Sequence, residues 1–470
     1  AVDQNSLCHQ KFYMGEFYMK ETRSKRSGKN VPMTEGSLWK NLLLFSIPLA
    51  FSQVLEVMFN LSDVAIVGRF ASYQALGSVG STTLLVSLFT GFLIGMGAGV
   101  NVRTAHALGA DNPEDANKII HTSLLLCLAL GMLISAICIV FSPNMLALLN
   151  TKDELMDGAV LYLKIYALGM PAMAVYNFGH GVLSARGDTT RPLIYLSAAG
   201  ILNVILNLFF VIRCHMAADG VATASVIAQY VSAGLILLNL FRRKDECRLR
   251  LKELRFHKQA AKSVLLLGIP AGIQNSIFAI ANLFVQSGVN TFSAIMVSGN
   301  SAAANADTLI FNMLSAYYTG CSTFMSQNWG AGKKDRVIKT YFISLLYSFG
   351  TAAILGTLLM LFGRQFLSAF ATEPAVINAG MERIHIMWFS YALAPFMDCA
   401  IAASRGIGKS VVPVIIVILG SCVFRVIWVY TIFAWFHTIT ALYMLYSFSW
   451  IITAVAETLY FRHSYRKLFS

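Results

Sequence analysis

The chain has 470 residues, of which 56% are hydrophobic and 13% are charged, and its formal net charge is +13. Soluble domains carry roughly 25% charged residues, so this composition excludes an ordinary soluble protein. The basic residues lie in short segments between apolar runs, where membrane orientation is encoded, so the charge does not indicate a nucleic-acid partner. The eight cysteines are scattered without metal-ligand spacing and predict neither a zinc site nor a disulfide framework.

Uncharged runs divide the chain into candidate membrane spans. The run between Lys262 and Asp307 holds 44 residues, and because a spanning helix needs about 20, it is long enough for two. Similar runs bounded by charges and turn residues predict twelve spans. Their approximate ranges are 40–66, 74–100, 118–142, 160–183, 192–213, 219–241, 262–287, 299–324, 339–363, 384–404, 411–435 and 439–461.

The distribution of Lys and Arg predicts the orientation of these spans. An even number of spans puts both termini on one side, and 29 of the 36 basic residues then fall on that side while 5 fall on the other. Positive residues favour the cytoplasm, so we expect both termini to be cytoplasmic in a bacterial inner membrane. The segment Arg242–Lys262 is the most basic, which is typical of an orienting loop that contacts anionic lipid head groups.

Three sequence landmarks occur twice. Pro48 and Pro270 open spans 1 and 7 at an offset of 222, Gly109 and Gly330 follow spans 2 and 8 at 221, and Arg-Gly pairs precede spans 5 and 11. Each repeat holds six spans, so the copies share one orientation and their axis runs along the membrane normal. We therefore expect an all-α polytopic membrane protein with twelve transmembrane helices in two six-helix bundles related by a pseudo-two-fold along that normal.

The predicted domain organisation follows from the repeats and the charges. It comprises a disordered cytoplasmic tail at 1–37, an N-terminal bundle at 38–241, a basic cytoplasmic linker at 242–261, a C-terminal bundle at 262–461 and a cytoplasmic tail at 462–470. In transporters built this way the substrate path lies between the halves.

Span 1 carries four polar residues on one helical face. Gln53, Glu56, Asn60 and Asp63 are spaced by 3, 4 and 3 residues, so they form a stripe. A lone polar residue could be a hydrogen bond between helices, but a stripe with two carboxylic acids indicates the wall of a water-filled cavity. The equivalent stripe in span 7 keeps the amides Asn275 and Asn282 and loses both acids.

Other polar residues lie inside later spans. Asn203 and Asn207 share a face of span 5, and Ser225 in span 6 adds a hydroxyl; these could complete a cation shell with Asp63 or act as interhelical hydrogen bonds. Asp398 and Arg425 lie within spans 10 and 11, where they either line the cavity or support it. No catalytic constellation is present, and no cofactor is expected.

The chain resembles the multidrug and toxic compound extrusion (MATE) family from about residue 40 to residue 461. The resemblance depends on the order, spacing and duplication of short motifs: Pro48, Asn60-Leu61-Ser62-Asp63-Val64-Ala65-Ile66-Val67-Gly68, Leu108-Gly109-Ala110, Arg186-Gly187-Asp188 with Pro192, Asn203 with Asn207, Gly268-Ile269-Pro270, Gly330-Ala331-Gly332 and Arg405-Gly406-Ile407-Gly408. It implies export of organic, often cationic, amphipathic compounds in exchange for H⁺ or Na⁺. Small-molecule substrates and membrane lipids are the expected partners, and a monomer is the expected state.

Family resemblance also assigns residue roles. Asp63 matches the family's aspartate in the first helix, the usual site of a proton or cation; Asn203 matches the asparagine of the family's Asn-xxx-Asp pair, and Ser225 falls where a threonine often stands. Asn207 replaces the aspartate of that pair, which weakens a Na⁺ site at Asp63, and Phe278 stands where one branch has a glutamate. Glu56 is not a familiar family acid, and we expect it to compensate in part.

Three other functions compete with this interpretation. A lipid-linked oligosaccharide flippase of the same superfamily would favour a basic cavity, so the acidic first span opposes it and Arg425 favours it. A membrane-embedded enzyme is disfavoured because no catalytic motif lies in the spans. A channel is disfavoured because no repeated filter loop is present.

Overall fold

The computed structural model describes residues 30–469, so the predicted disorder of residues 1–29 lies outside the described range. The described chain is helical, and the helices form twelve spans named here span 1 to span 12. In chain order they are Leu38–Phe70, Tyr73–Gly109, Pro113–Leu148, Asp153–Ala167 with Met170–Ala185, Thr190–Arg213, Ala218–Arg242, Lys258–Val289, Ala294–Gly330, Lys334–Ser368, Pro374–Tyr391 with Ala394–Gly406, Val411–Phe436 and Ile439–Phe469.

Most of these spans meet the requirements for crossing a membrane by length and apolar character. Within the described residues 9 helices do so alone, and two bent pairs bring the number to 11. The remaining one, span 8, has 37 residues but carries Asn300, Asn305 and Asp307 among its apolar positions. Its partners, described below, account for that polarity.

Spans 4 and 10 are bent at equivalent places in the two halves. Their two helices meet at 43° and 44°, and Pro171 and Pro395 each lie in the first turn of the second helix. Proline has no N–H to continue the preceding turn, so the helix breaks there. Span 10 begins at Pro374 and not near 384 as predicted, so Arg383 lies inside this span and not in a connection.

Spans 1–6 and 7–12 form two lobes that meet along one half of the molecule. We call the face that carries the helix ends Gly109, Arg242 and Gly330 the basic face. Spans 2 and 7 pack closely: a Cβ on Gly95 would lie 2.2 Å from the backbone nitrogen of Gly272. Because glycine has no side chain, the two backbones can approach this closely.

The hydrogen bonds between the lobes, among the described residues, lie in the half nearer the basic face. They begin near the middle of the molecule, where the Ser276 hydroxyl donates to the Leu88 carbonyl at 2.9 Å. They continue to Thr323, which donates to Asn101 at 2.7 Å, and to Ser326, which donates to the Val102 carbonyl at 2.6 Å. The lobes are therefore closed at the basic face.

Residues 31–36, which we call the strap, cross from one lobe to the other at the basic face. The Val31 N–H donates to the Gly187 carbonyl at 3.0 Å, and Arg336 of span 9 donates to three strap carbonyls at 3.0–3.3 Å. Met33 is 2% exposed in a core formed with spans 1 and 8. The strap is thus held against both lobes, and the prediction of a disordered tail up to residue 37 is wrong for these residues.

The strap also explains the Arg186-Gly187 motif. Gly187 has a φ of +85°, a left-handed conformation that glycine adopts at little cost, and a Cβ there would lie 2.4 Å from the Val31 carbonyl oxygen. Any side chain at this position would therefore displace the strap.

A connection from Arg243 to His257 joins the lobes, slightly shorter than the predicted linker. Arg243 lies 3.3 Å from Asp188 and 2.9 Å from Asp245. Burial alone would raise the pKa of the Asp245 carboxyl, but the hydrogen bond from Arg243 and the charges of Arg243 and Arg186 hold that pKa below its ordinary value. These ion pairs fix the start of the connection against the N-terminal lobe.

Candidate ion and substrate sites

The polar stripe of span 1 lines cavities in the N-terminal lobe. Glu56, Asn60 and Asp63 line a cavity of about 300 Å³. Gln53 lines an adjoining cavity of about 160 Å³, which shares Glu56 and reaches Thr319 of the other lobe. The helical spacing therefore directs all four side chains toward connected space inside the protein.

Asp63 lies at the centre of a closed hydrogen-bond network. The Asn207 side-chain amide donates to Asp63 Oδ1 at 2.5 Å, and the Ser225 hydroxyl donates to Asp63 Oδ2 at 3.1 Å. Asn207 also donates to Asn203 Oδ1 at 3.2 Å, and Asn203 donates to the Ser225 hydroxyl at 3.2 Å. The four residues predicted as the coupling-ion site lie together.

The local sequence explains this convergence. Asn203 and Asn207 are one turn apart in span 5, so both face span 1. Both amides are buried, with exposed fractions of 5% and 0%, and the Asn207 Oδ1 atom has no hydrogen-bond partner among residues 30–469. The cluster thus offers carboxylate, amide and hydroxyl oxygens, which are ligands that hard cations prefer.

Glu56 has a different environment from Asp63. Its side chain lines both N-terminal cavities, and among the described residues it has no hydrogen bond or ion pair. Glu56 is therefore a carboxyl group available to another partner, about two helical turns from Asp63.

The C-terminal lobe contains a separate cavity of about 450 Å³. Asn282, Asp398 and Arg425 line it, in agreement with their predicted position in the spans. Asn275 does not: its side chain donates to the Gly91 carbonyl at 3.1 Å, at the contact between spans 2 and 7. Asp398 and Arg425 do not form an ion pair with each other or with any described residue.

One polar network of this lobe was not predicted. Arg383 forms an ion pair with Asp307 and a hydrogen bond with Asn300, while the Tyr391 hydroxyl donates to Asp307. The Tyr443 hydroxyl also reaches Asn300, at 2.8 Å. The signal in the sequence was Asp307 itself, because a charge inside a span requires a partner.

A bound transition metal is not indicated by the side chains. Among residues 30–469 no group of three His, Cys, Asp or Glu side chains could hold a metal ion.

Comparison with known proteins agrees with the geometry. The sequence pattern of the MatE family matches the chain twice, over residues 48–209 and 270–431. The two matched segments begin 222 residues apart and also end 222 residues apart, which is the offset between Pro48 and Pro270. This agreement confirms the predicted duplication.

Individual relatives are similar over most of their length. Probable multidrug resistance protein YoeA of Bacillus subtilis is 25% identical, covering 81% of this chain and 84% of the relative. Probable multidrug resistance protein NorM of Thermotoga maritima is 24% identical, with coverage of 80% and 82%. A solved structure of a multidrug resistance MATE family transporter in an outward-facing conformation has a TM-score of 0.88 at 21% identity, covering 94% of this chain and 99% of that one; it establishes the two-lobe fold.

Proposed function

The chain belongs to the MatE family of multidrug efflux transporters, whose members are ion-coupled carriers of small molecules and not enzymes, and from that premise we propose that it exports organic, cationic, amphipathic compounds in exchange for H⁺ or Na⁺. The observation that carries this proposal is the Asp63 network, in which one carboxylate is surrounded by neutral amides and a hydroxyl. A single bound cation changes the charge of that site from negative to neutral.

The N-terminal cavity supports exchange between the ion and the substrate. Glu56 and Asp63 line the same cavity, so a cationic compound that enters it is attracted by carboxylates that the coupling ion also needs. Binding of H⁺ or Na⁺ at Asp63 reduces that attraction and favours release of the substrate. Mutual exclusion of this kind is sufficient for antiport.

Contacts at the basic face support a cycle of alternating access. In this structure the two lobes are closed there through spans 2 and 7 and through the strap. Loading from that face requires these contacts to separate while each lobe moves as a unit around the cavities. We place the basic face in the cytoplasm of a bacterium, with the transporter as a monomer in the inner membrane in contact with its lipids.

Transport in everted membrane vesicles tests the proposal. Uptake of ethidium is followed under a pH gradient and, separately, under a Na⁺ gradient, for the parent and for Asp63→Asn. The matched control is Asp157→Asn, an exposed carboxylate of span 4. We expect one gradient to drive uptake by the parent and the control, and Asp63→Asn to abolish it.

Two outcomes would contradict parts of the proposal. Unchanged uptake by Asp63→Asn would refute the coupling role of Asp63 and direct attention to Glu56. Failure of both gradients to move ethidium in the parent would refute export of cationic dyes and favour a narrow or lipid-linked substrate.

A further inference from the structure

We propose that the C-terminal cavity is a second substrate subsite, in which Arg425 binds the anionic group of an aromatic organic monoanion. The inference rests on the proposed transport function and extends it, because it adds a class of cargo that the acidic N-terminal cavity repels. It depends on the contacts of Arg425, on the aromatic rings around it and on the charges that share its cavity.

The Arg425 guanidinium is buried against neutral partners. Its residue is 3% exposed; Nη1 donates to the Asn282 side-chain oxygen at 3.2 Å and Nε donates to the Ser449 hydroxyl at 3.4 Å. Among the described residues no carboxylate lies within ion-pair distance of it. A buried cation without a counter-ion is costly, and an anion that enters the cavity offsets this cost.

The neighbouring arginine shows that this arrangement is specific to Arg425. Arg383 lines the same cavity, but it forms an ion pair with Asp307, so its charge is balanced inside the protein. Arg425 is therefore the cation of this cavity, within the described chain, that is left to pair with a ligand.

Aromatic rings define the shape of the ligand. The guanidinium carbon lies 4.7 Å from the ring centre of Tyr446, 5.7 Å from that of Phe278 and 5.9 Å from that of Trp450. These three residues also line the cavity. A planar aromatic body can pack on such rings while its anionic group reaches the guanidinium, and about 450 Å³ is ample for a small ligand.

The backbone of span 11 is irregular on both sides of Arg425. The residue lies in a short α-helical segment, Phe424–Trp428, between π-helical segments at Ile418–Val423 and Val429–Phe433. Single π-helical turns within α-helices are frequent at functional sites because they redirect side chains. Here they flank Arg425, which lines the cavity and is the one charged residue of the span.

Asp398 limits the charge of the ligand. It lines the same cavity and has no hydrogen bond or ion pair among the described residues. Its carboxylate opposes a second negative charge, so monoanions are favoured over dianions. The expected ligands are therefore flat aromatic compounds with one carboxylate, sulfonate or phosphate monoester group carrying a single charge.

Equilibrium binding to the full chain in phosphatidylcholine nanodiscs tests this inference. The probes are tritiated 1-naphthoate and the matched cation 1-naphthylmethylammonium, and no ion gradient is applied. The variants are Arg425→Gln and Arg425→Lys, with Arg69→Gln as a matched control on an exposed arginine. Folding is verified by size-exclusion chromatography.

We expect Arg425→Gln to weaken naphthoate binding roughly 10- to 100-fold relative to the cation, because charge-assisted hydrogen bonds are lost. Arg425→Lys should retain part of the affinity and Arg69→Gln all of it. Three results would overturn the inference: no naphthoate binding by the parent at about 1 mM, no change in Arg425→Gln, or an equal loss for both probes. Because no gradient is involved, failure of dye antiport would leave this result interpretable.

Two further measurements complete the test. If Arg425→Gln does not fold, the test uses Asp398→Asn. This variant should strengthen binding of 1,4-naphthalenedicarboxylate relative to naphthoate, and an unchanged ratio of the two affinities would overturn the inference. Repeating the assay in discs that contain phosphatidylglycerol identifies the source of the anion. Loss of naphthoate binding there would assign the site to a lipid head group and refute the aromatic ligand.

Discussion

Gly95→Ala is expected to separate the lobes at the basic face. The added Cβ would lie 2.2 Å from the Gly272 nitrogen and 2.4 Å from its Cα. Both are backbone atoms, so no side-chain rotation can relieve the contact. The same substitution at Gly80, also in span 2, meets nothing within 4 Å and therefore serves as the matched control.

The size of the effect follows from the geometry. Carbon contacts are optimal at about 3.5 Å or more, so spans 2 and 7 must move apart by about 1.3 Å. Overpacking of this kind costs about 1–3 kcal/mol. The clash exists only where the lobes touch, so we expect it to destabilise the closed state by about 2 kcal/mol relative to the open state. This corresponds to roughly a 30-fold change in the ratio of closed to open molecules. Alanine at Gly80 should be neutral or stabilising by up to about 1 kcal/mol because of its helix propensity.

Distances between spin labels at residues 114 and 335 measure this population. Both positions are exposed and lie at the basic face on different lobes, and Cys8 and Cys214 are replaced by serine to prevent additional labelling. The parent and Gly80→Ala should give one short distance, and Gly95→Ala should add a longer one. A distribution for Gly95→Ala identical to that of Gly80→Ala would refute the reasoning, since it would mean that the interface yields without opening.

Charged groups at three other places give further expectations. Asp307→Asn leaves the buried Arg383 guanidinium without a counter-ion and should lower the free energy of unfolding by about 3–5 kcal/mol. Thermal unfolding measures this loss, with Glu114→Gln, which breaks an exposed ion pair, as the control. Equal unfolding midpoints for the two variants would contradict the expectation. Arg336→Gln removes three hydrogen bonds to the strap and should speed hydrogen exchange of strap amides. Parent-like protection would show that the other contacts of the strap hold it without Arg336. The pKa of Asp245 is lowered from 3.8 in the folded chain, so the stability that its carboxylate gives the linker should be complete above pH 3.8 and lost as the pH falls below that value. Hydrogen exchange of the linker, corrected for the intrinsic rate, should therefore rise only in that acidic range. Asp245→Asn should show the raised exchange at neutral pH.

The sequence was sufficient to predict the spans because charges are so costly inside a membrane. Span 8 is the clearest case: it falls short of the apolar requirement that nine other helices of residues 30–469 meet alone, yet Asp307 is the one charged residue within it, and it was predicted at 299–324. The bends of spans 4 and 10 were harder to place, since Pro171 and Pro395 indicate an interruption but not how far the preceding helix extends. That uncertainty is why Arg383 was assigned to a connection.

The grouping of the candidate residues in space was predicted where they share a helical face, and it was missed where the packing of a neighbouring helix determines it. The spacing of Asn203 and Asn207 placed them on one face, the polar stripe of span 1 placed Asp63, and family resemblance added its role as a proton or cation site. Asn275 lies on the corresponding stripe of span 7, but span 2 covers that part of the helix through Gly91, which no pattern within span 7 can indicate. The pairing of Asp307 with Arg383 likewise joins positions 76 residues apart on different spans.

The strap has a consequence for the order in which the protein assembles. Its carbonyl at Met33 is bound by Asn328 and Arg336, which follow it by 295 and 303 residues. A growing chain emerges from its N-terminus, so the strap is synthesised long before these two partners, and its contacts with the C-terminal lobe have to wait until span 9 has begun to form. Docking of the strap on the C-terminal lobe is therefore a late step of assembly, and an N-terminal fusion that hinders it would act late although the fusion is attached to the first part of the chain.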